Sequence, residues 1–349
     1  EHFVVDMIQG GAGTSTNMNA NEVIANRALE ILGGERGDYV SCHPNNHVNL
    51  SQSTNDVYPT SLKLALVWSI EDLKAAMRRL VAALADKGRE FAGVLKLGRT
   101  QLQDAVPMTL GQSFDAFSIM VSEDIERLKE AKRLLFEMNL GATAIGTGVN
   151  TVEGYAEQVC IRLCELSALP FVTSPNLIEA TSDAGGFVQL SGVLKRVAVK
   201  LSKVCNDLRL LSSGPRGGLG EIRLPPMQPG STIMPGKVNP VIPEVVNQVC
   251  FQVIGNDVAI TMGAHGGQME LNAFEPVIGF NLFFSLTILR NAIDVLTERC
   301  IKGIEANEDR CRLHLENSIG IVTALVPHLG YDLAARIAAE ALDTGRTVR

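Results

Sequence analysis

Residues 229–240 read P-G-S-T-I-M-P-G-K-V-N-P. Prolines at 229, 235 and 240 and glycines at 230 and 236 exclude helix and central strand, so this is a loop. It carries one lysine and no carboxylate, histidine or cysteine. Apolar residues at helical spacing flank it on both sides. They run from about 176 to 212, through Val193, Val197, Leu201, Val204, Leu208 and Leu211, and from Pro240 to about 263. A flexible, hydroxyl-bearing loop between two long helices calls for an explanation.

The same periodicity recurs elsewhere. One segment spans about 57–92, through Leu62, Leu66, Leu73, Leu80 and Leu84. A second spans about 109–139, through Phe114, Phe117, Val121, Ile125, Leu128 and Leu135, and a third about 275–304. A helix of 30 residues is about 45 Å long, so such rods must lie side by side. The expected fold is therefore all-α in the main: an elongated up-down helical bundle. The rods at about 240–263 and 275–304 are apolar on more than one face and are expected to bury a second face in a homo-oligomer.

Hydrophobic residues make up 46% and aromatics 5%, a core of Leu, Val, Ile and Ala suited to closely packed helices. The net charge of −7 (31 basic against 38 acidic residues), with no basic run, argues against nucleic acid. Seven cysteines, at 42, 160, 164, 205, 250, 300 and 311, form no C-x-x-C pair and read as reduced, buried thiols of a cytoplasmic protein. Cys160 and Cys164 share a helix face, with no histidine close in sequence. No signal peptide is visible. The most apolar run, 276–289, is shorter than the roughly 20 residues that span a bilayer, so no membrane association is expected. The chain opens on Glu1 and stops at T-G-R-T-V-R, and both ends read as cut from something longer.

Loops rich in Gly, Ser, Thr and Asn separate the rods: G-G-A-G-T-S-T-N-M-N (10–19), S-Q-S-T-N-D (51–56), G-A-T-A-I-G-T-G-V-N (141–150), S-S-G-P-R-G-G-L-G-E (212–221) and the opening stretch. None is a Walker A loop, and G-A-G-T-S-T departs from G-x-G-x-x-G at Thr16. Hydroxyls, amides and glycine N–H groups are a toolkit for holding oxyanions. Taken singly, each loop is also readable as a turn or a cap; Ser53 or Asn55 could cap the following helix, and Ser231 could form a side-chain turn. Five such loops on one bundle, one with a lone lysine, favour a shared role.

G-S-T-I-M-P-G-K-V-N-P (230–240) resembles the signature of the aspartase/fumarase superfamily. S-Q-S-T-N-D, G-R-T-Q-L-Q-D (98–104) and G-G-A-G-T-S-T-N-M-N resemble its other substrate-binding segments, so the resemblance covers essentially the whole chain. P-V-I-P-E-V-V-N-Q-V (240–249), E-L-N-A-F-E-P (270–276) and Q-L-Q-D-A-V-P (101–107) resemble its aspartase branch. Class II fumarases carry His where this chain has Gln101, paired with a Glu matching Glu244. H-P-N at 43–45 points the other way, being similar to a secondary anion site of fumarases.

The resemblance implies deamination of L-aspartate to fumarate and ammonia, with no cofactor and a divalent cation only as an activator. It implies a homotetramer whose sites are each shared between three subunits. It divides the chain into 1–55, a remnant of an N-terminal domain with substrate loops; 56–305, the central long-helix domain; and 306–349, the start of a small helical C-terminal domain. It makes Ser231 the base that removes the proton next to the spectator carboxylate. Thr14, Ser53, Thr54 and Thr232, with loop N–H groups, would hold the resulting aci-carboxylate. The family usually has Ser at the place of Thr232. Lys237 and Asn239 would bind the other carboxylate, with Asn55 and Thr100 near the ammonium end and Gln101 as a further substrate-binding residue. Water exclusion, loop dipoles and a nearby cation would ease the ionisation of the serine. The alternatives are a class II fumarase acting on malate, a catalytically inactive structural relative and a helical scaffold.

Overall fold

The computed structural model describes residues 2–348. In chain order it contains α1 (Thr14–Ile31), a π-helical turn (Pro44–Val48), α2 (Thr54–Glu90), β1 (Leu95–Thr100), β2 (Gln103–Thr109), α3 (Leu110–Leu134), β3 (Glu137–Met138), α4 (Tyr155–Ser167), β4 (Val172–Thr173), α5 (Leu177–Ser182) and α6 (Gly185–Leu211). There follow β5 (Ile222–Arg223), α7 (Val241–His265), α8 (Glu275–Arg299), a 3₁₀ turn (Ile301–Gly303), β6 (Glu305–Ala306), α9 (Glu308–Asn317), a second 3₁₀ turn (Ile319–Ile321), α10 (Val322–Leu329) and α11 (Tyr331–Thr344).

The chain forms two compact units. One takes in the chain through Lys74, then Glu126–Arg196 and Phe251–Leu289; the other takes Ala75–Ile125, Val197–Cys250 and the chain from Arg290 on. Each of the five long helices gives residues to both. The first unit receives the start of α2, the end of α3, the start of α6, the end of α7 and the start of α8. That alternation is the up-and-down order of a helical bundle.

The mainly α expectation holds, and the rods lie where periodicity put them. In α2, Leu66, Ile70, Leu73, Met77, Leu80 and Leu84 have no exposed surface and recur every three or four residues. Burying each side chain stabilises the fold by about 1.5–3 kcal/mol. Polar side chains also tie the helices to one another. In the first unit Asp257 accepts hydrogen bonds from Ser191 Oγ (2.7 Å) and Lys195 Nζ (2.6 Å). In the second, Asn247 Nδ2 donates to Ser202 Oγ (2.8 Å) and Asn206 Oδ1 (3.1 Å). Slipping a helix by one turn would strand these groups without partners.

Three boundaries differ from the periodic reading. The rod expected over 176–212 is broken after α5, because the Asp183 carboxylate accepts the Gly185 N–H (2.9 Å) and starts α6 afresh. The rod expected to reach 139 stops at Leu134, and 137–138 pairs in parallel with 172–173. The rod expected to reach 304 stops at Arg299 and tightens into a 3₁₀ turn. The stretch Glu275–Gly303 is long and apolar enough to cross a bilayer, but 56% of its apolar window is buried inside the protein, as in a core helix.

Two two-stranded sheets lie in the second unit, β1–β2 and β5–β6, both antiparallel. The β1–β2 hairpin was not legible in the sequence. Thr100 pairs with Gln103 across a two-residue turn in which Gln101 (φ 53°) and Leu102 (φ 63°) are both left-handed. This turn shape usually recruits Asn-Gly, and neither residue is present to signal it.

Candidate active site

In the first unit three consecutive left-handed residues lead into α1: Gly11 (φ 83°), Ala12 (φ 55°) and Gly13 (φ 92°). Gly13 lies flat against the Tyr58 ring, where a Cβ would stand 2.7 Å from ring carbons, so only glycine fits. This turn presents Thr14 at the first helical position, exposed, with its hydroxyl donating to Gly11 O (2.6 Å).

The S-T-N-D segment opens α2. Ser53 Oγ accepts the Asn55 N–H (3.2 Å), and the Asp56 carboxylate accepts the Ser53 N–H (2.9 Å), a reciprocal cap. Thr54 is buried and its oxygen accepts from Asn17 Nδ2 (3.0 Å), an amide on α1. Asn55 Nδ2 donates to Ala144 O (2.8 Å), which leaves its carbonyl oxygen free to accept. Thr14 and 53–55 are thus gathered by the Gly13–Tyr58 and Asn17–Thr54 contacts. His43 is committed to its own turn, its Nδ1 accepting from the N–H groups of Asn45 (3.0 Å) and Asn46 (3.2 Å).

The remaining expected residues lie in the second unit. Thr100 and Gln101 are exposed at the hairpin tip. Residues 229–240 form the expected loop. Gly230 N–H donates to Lys237 O (2.9 Å), Lys237 N–H to Met234 O (3.3 Å) and Asn239 Nδ2 to Gly230 O (2.7 Å). A Cβ at Gly230 would collide with the Lys237 carbonyl. Ser231 Oγ accepts two main-chain N–H groups, from Ile233 (3.2 Å) and Met234 (3.0 Å). The side-chain turn is therefore real, and it also has chemical content: two donors aimed at one oxygen stabilise it when it carries negative charge. Thr232 and Lys237 are exposed.

Behind the hairpin lies a charged cluster that the sequence did not reveal. Glu221 is fully buried. Its carboxylate meets Arg99 Nη1 (2.7 Å), His314 Nδ1 (3.0 Å) and Lys96 Nζ (3.5 Å). Burial pushes this carboxyl up, but the His314 hydrogen bond and the Lys96 and Arg99 charges outweigh it and hold the group below the usual glutamate range. Arg99 is the residue before Thr100, so the cluster anchors the strand that carries it. Helix α9 holds the other side: Arg310 donates to Leu219 O (3.1 Å) and Gly218 O (3.0 Å), and Asn307 Nδ2 to Gly220 O (3.0 Å). In the first unit, burial pushes Glu275, in the first turn of α8, up to about 8 against the pull of Lys63. Burial lowers Lys63, whose Nζ donates to Glu137 O (2.7 Å).

A family model described as Lyase matches residues 1–255, and one described as Fumarase C C-terminus matches 321–349. The chain belongs to the aspartase/fumarase superfamily of lyases. This lyase is 61% identical to the aspartate ammonia-lyase of Helicobacter pylori over 348 residues, 100% of this chain and 74% of the relative. It is 55% identical over 352 residues to the aspartate ammonia-lyase of Escherichia coli, again 100% of this chain and 73% of the relative. Among solved structures it is similar to a fumarate lyase:delta crystallin from Brucella melitensis bound to cobalt (62% identity, TM-score 0.96, 99% of this chain and 75% of that one). It is also similar to a class II fumarase from Schistosoma mansoni (36% identity, TM-score 0.95, 99% of this chain and 75% of that one).

In the lyase, no cluster of three or more His, Cys, Asp or Glu suited to a metal ion occurs among the described residues. Glu221, Lys96, Arg99 and His314 form the buried charge cluster beside Thr100 that sequence reading missed. Only the S-x-x-D spacing at 53–56 offered a local signal for a buried acid, at Asp56.

Proposed function

We propose that the protein is an aspartate ammonia-lyase, converting L-aspartate reversibly to fumarate and ammonia through an aci-carboxylate. Similarity over the whole of this chain to enzymes of that name supports the reaction, and the environment of Ser231 supports the mechanism. Ser231, as its oxyanion held by two amides, takes the proton from the carbon beside the spectator carboxylate. The electron pair left behind flows into that carboxylate, and on collapse the neighbouring C–N bond breaks and ammonia departs. Hydroxyls of Thr14, Ser53, Thr54 and Thr232 meet the doubly charged carboxylate. Charge that develops in a water-poor site is best met by donors already in place. Lys237, exposed where the loop closes on Gly230, pairs with the other carboxylate, joined by Asn239 once its amide leaves Gly230 O. The free carbonyl oxygen of Asn55 accepts from the substrate ammonium, with Thr100 and Gln101 alongside.

Gln101 also separates this reading from a class II fumarase. A neutral amide cannot relay a proton to activate water, whereas an amine leaves without that relay. The enzyme works as a homotetramer whose sites draw on three subunits, in the cytoplasm, and requires neither a cofactor nor a divalent cation, which would act only as an activator. Phe251, Val258 and Met262 form an exposed apolar stripe on α7 (60%, 62% and 63% exposed), which supports a helix-mediated subunit interface. All seven cysteines are free, which supports a reducing compartment.

The test measures fumarate from L-aspartate and from L-malate side by side. Faster conversion of malate would overturn the assignment. Two inactive variants, one at Ser231 and one at Thr100, are expected to regain partial activity when unfolded and reassembled together. A mixture that stays dead although mixed tetramers form would refute shared sites.

A further inference from the structure

The segment 141–150 has no role in the mechanism above, yet it is stitched to the start of α2. Asp56, in the first turn of that helix, has no exposed surface. Its Oδ1 accepts the Ser53 N–H (2.9 Å), and its Oδ2 accepts the N–H groups of Gly141 (3.1 Å) and Thr143 (2.8 Å). All three donors are main-chain amides. Two more bonds run alongside. Pro59 has no N–H to give to Asn55 O, and the Asn139 side chain supplies one instead (3.0 Å). Asn55 returns a bond to Ala144 O (2.8 Å).

The loop bears the marks of a segment held for a purpose. Thr143 is left-handed (φ 57°), which is costly for a β-branched residue. Its buried hydroxyl has no partner, and neither does Asn139 Oδ1. Gly141 (φ 99°) lies where a Cβ would stand 2.6 Å from Ala156 Cβ. Strain and unmet polar groups persist only where the surroundings over-determine them. Here the over-determining group is one buried carboxylate with three donors.

We infer that Asp56 is a positioning residue: by binding the amides of Gly141 and Thr143 it fixes the 53–55 turn against the 139–144 loop, and so sets the aim of three substrate-binding side chains. The inference rests on the ammonia-lyase reading of Ser53, Thr54 and Asn55. An amide at position 56 keeps the shape but turns an NH₂ toward an N–H donor, so one edge of the clamp lets go. A misplacement of about 1 Å costs on the order of 100-fold in rate. Because Ser53 and Thr54 face charge that develops during the reaction, the loss falls on kcat more than on ground-state binding.

The experiment compares the full-length parent with Asp56→Asn and the milder Asn139→Ser, recording kcat for L-aspartate, the inhibition constant for succinate (an unreactive dicarboxylate) and thermal unfolding. Asp56→Asn is expected to unfold cooperatively, to lose at least about 30-fold in kcat and to bind succinate within about threefold of the parent. Asn139→Ser is expected to lose about fivefold in kcat with the same pattern. A folded Asp56→Asn with kcat within about threefold of the parent, or one whose succinate binding weakens as much as kcat falls, overturns the inference. If Asp56→Asn does not fold, Asn139→Ser decides, and an unchanged kcat there overturns it. A parent that forms no fumarate from L-aspartate removes the ammonia-lyase reading, and the inference with it.

Discussion

Replacing Glu221 by Gln removes the one negative charge in a buried cluster and leaves Arg99 and Lys96, with side chains 15% and 6% exposed, facing each other without a counter-ion. Breaking such a pair costs about 3–5 kcal/mol. The amide oxygen can still accept from Arg99, so the expected cost is near the lower end, about 3 kcal/mol. With about 2.1 cal/mol/K of unfolding entropy per residue over 349 residues, that lowers a cooperative melting midpoint by about 4 °C at neutral pH. The pH dependence has a definite sign. The folded carboxyl titrates below the ordinary glutamate value of 4.5, so its stabilisation is complete above that value and fades as pH falls through the lower folded value. The gap between parent and variant should therefore be widest at neutral pH and close in acid. Melting midpoints of both proteins, measured from neutral pH downward at one protein concentration, provide the assay. A gap under about 1 °C at pH 7, or one that does not narrow in acid, would refute the account of the cluster.

Ser231→Ala removes only a hydroxyl from a surface loop; kcat is expected to fall by about 10²–10⁴ with little change in melting, and a variant keeping more than about half of kcat would show that Ser231 is not the base. Lys237→Met is expected to raise KM for L-aspartate strongly, and to lower kcat as well if the lysine also favours the Ser231 oxyanion; an unchanged KM places Lys237 outside the site. Glu275→Gln tests the buried carboxyl of α8. Its folded value of about 8 lies above the ordinary 4.5, so the folded parent binds the extra proton and loses stability as pH rises between those values. The Gln variant lacks that slope and is expected to gain on the parent, by up to a few kcal/mol, between pH 5 and 8. Parallel stability curves for the two proteins would rule this out.

Helical periodicity alone located the five rods, though not all of their ends, because a long amphipathic segment repeats its signal many times. Short-range chemistry also carried through. P-G-S-T-I-M-P-G-K-V-N-P is a loop because proline and glycine forbid anything else there. The break at 183–185 was harder to see, since one Asp side chain outweighed an apolar pattern that continues on both sides. The β1–β2 hairpin was missed because Gln101 and Leu102 adopt a turn that their types do not advertise.

What the sequence determined by itself is therefore local or repetitive: the mainly α class, the loop that carries Ser231 and Lys237, and the hydroxyl and amide residues gathered at helix starts. What only the tertiary structure decided is the partner of each buried charge. Glu221 with Arg99 and His314, Asp56 with Gly141 and Thr143, and Lys63 beside Glu275 join residues from distant segments. A carboxylate looks the same in a sequence whether it will face water or three donors. Only the packing that excludes water around it determines whether it must find those donors, and at which atoms.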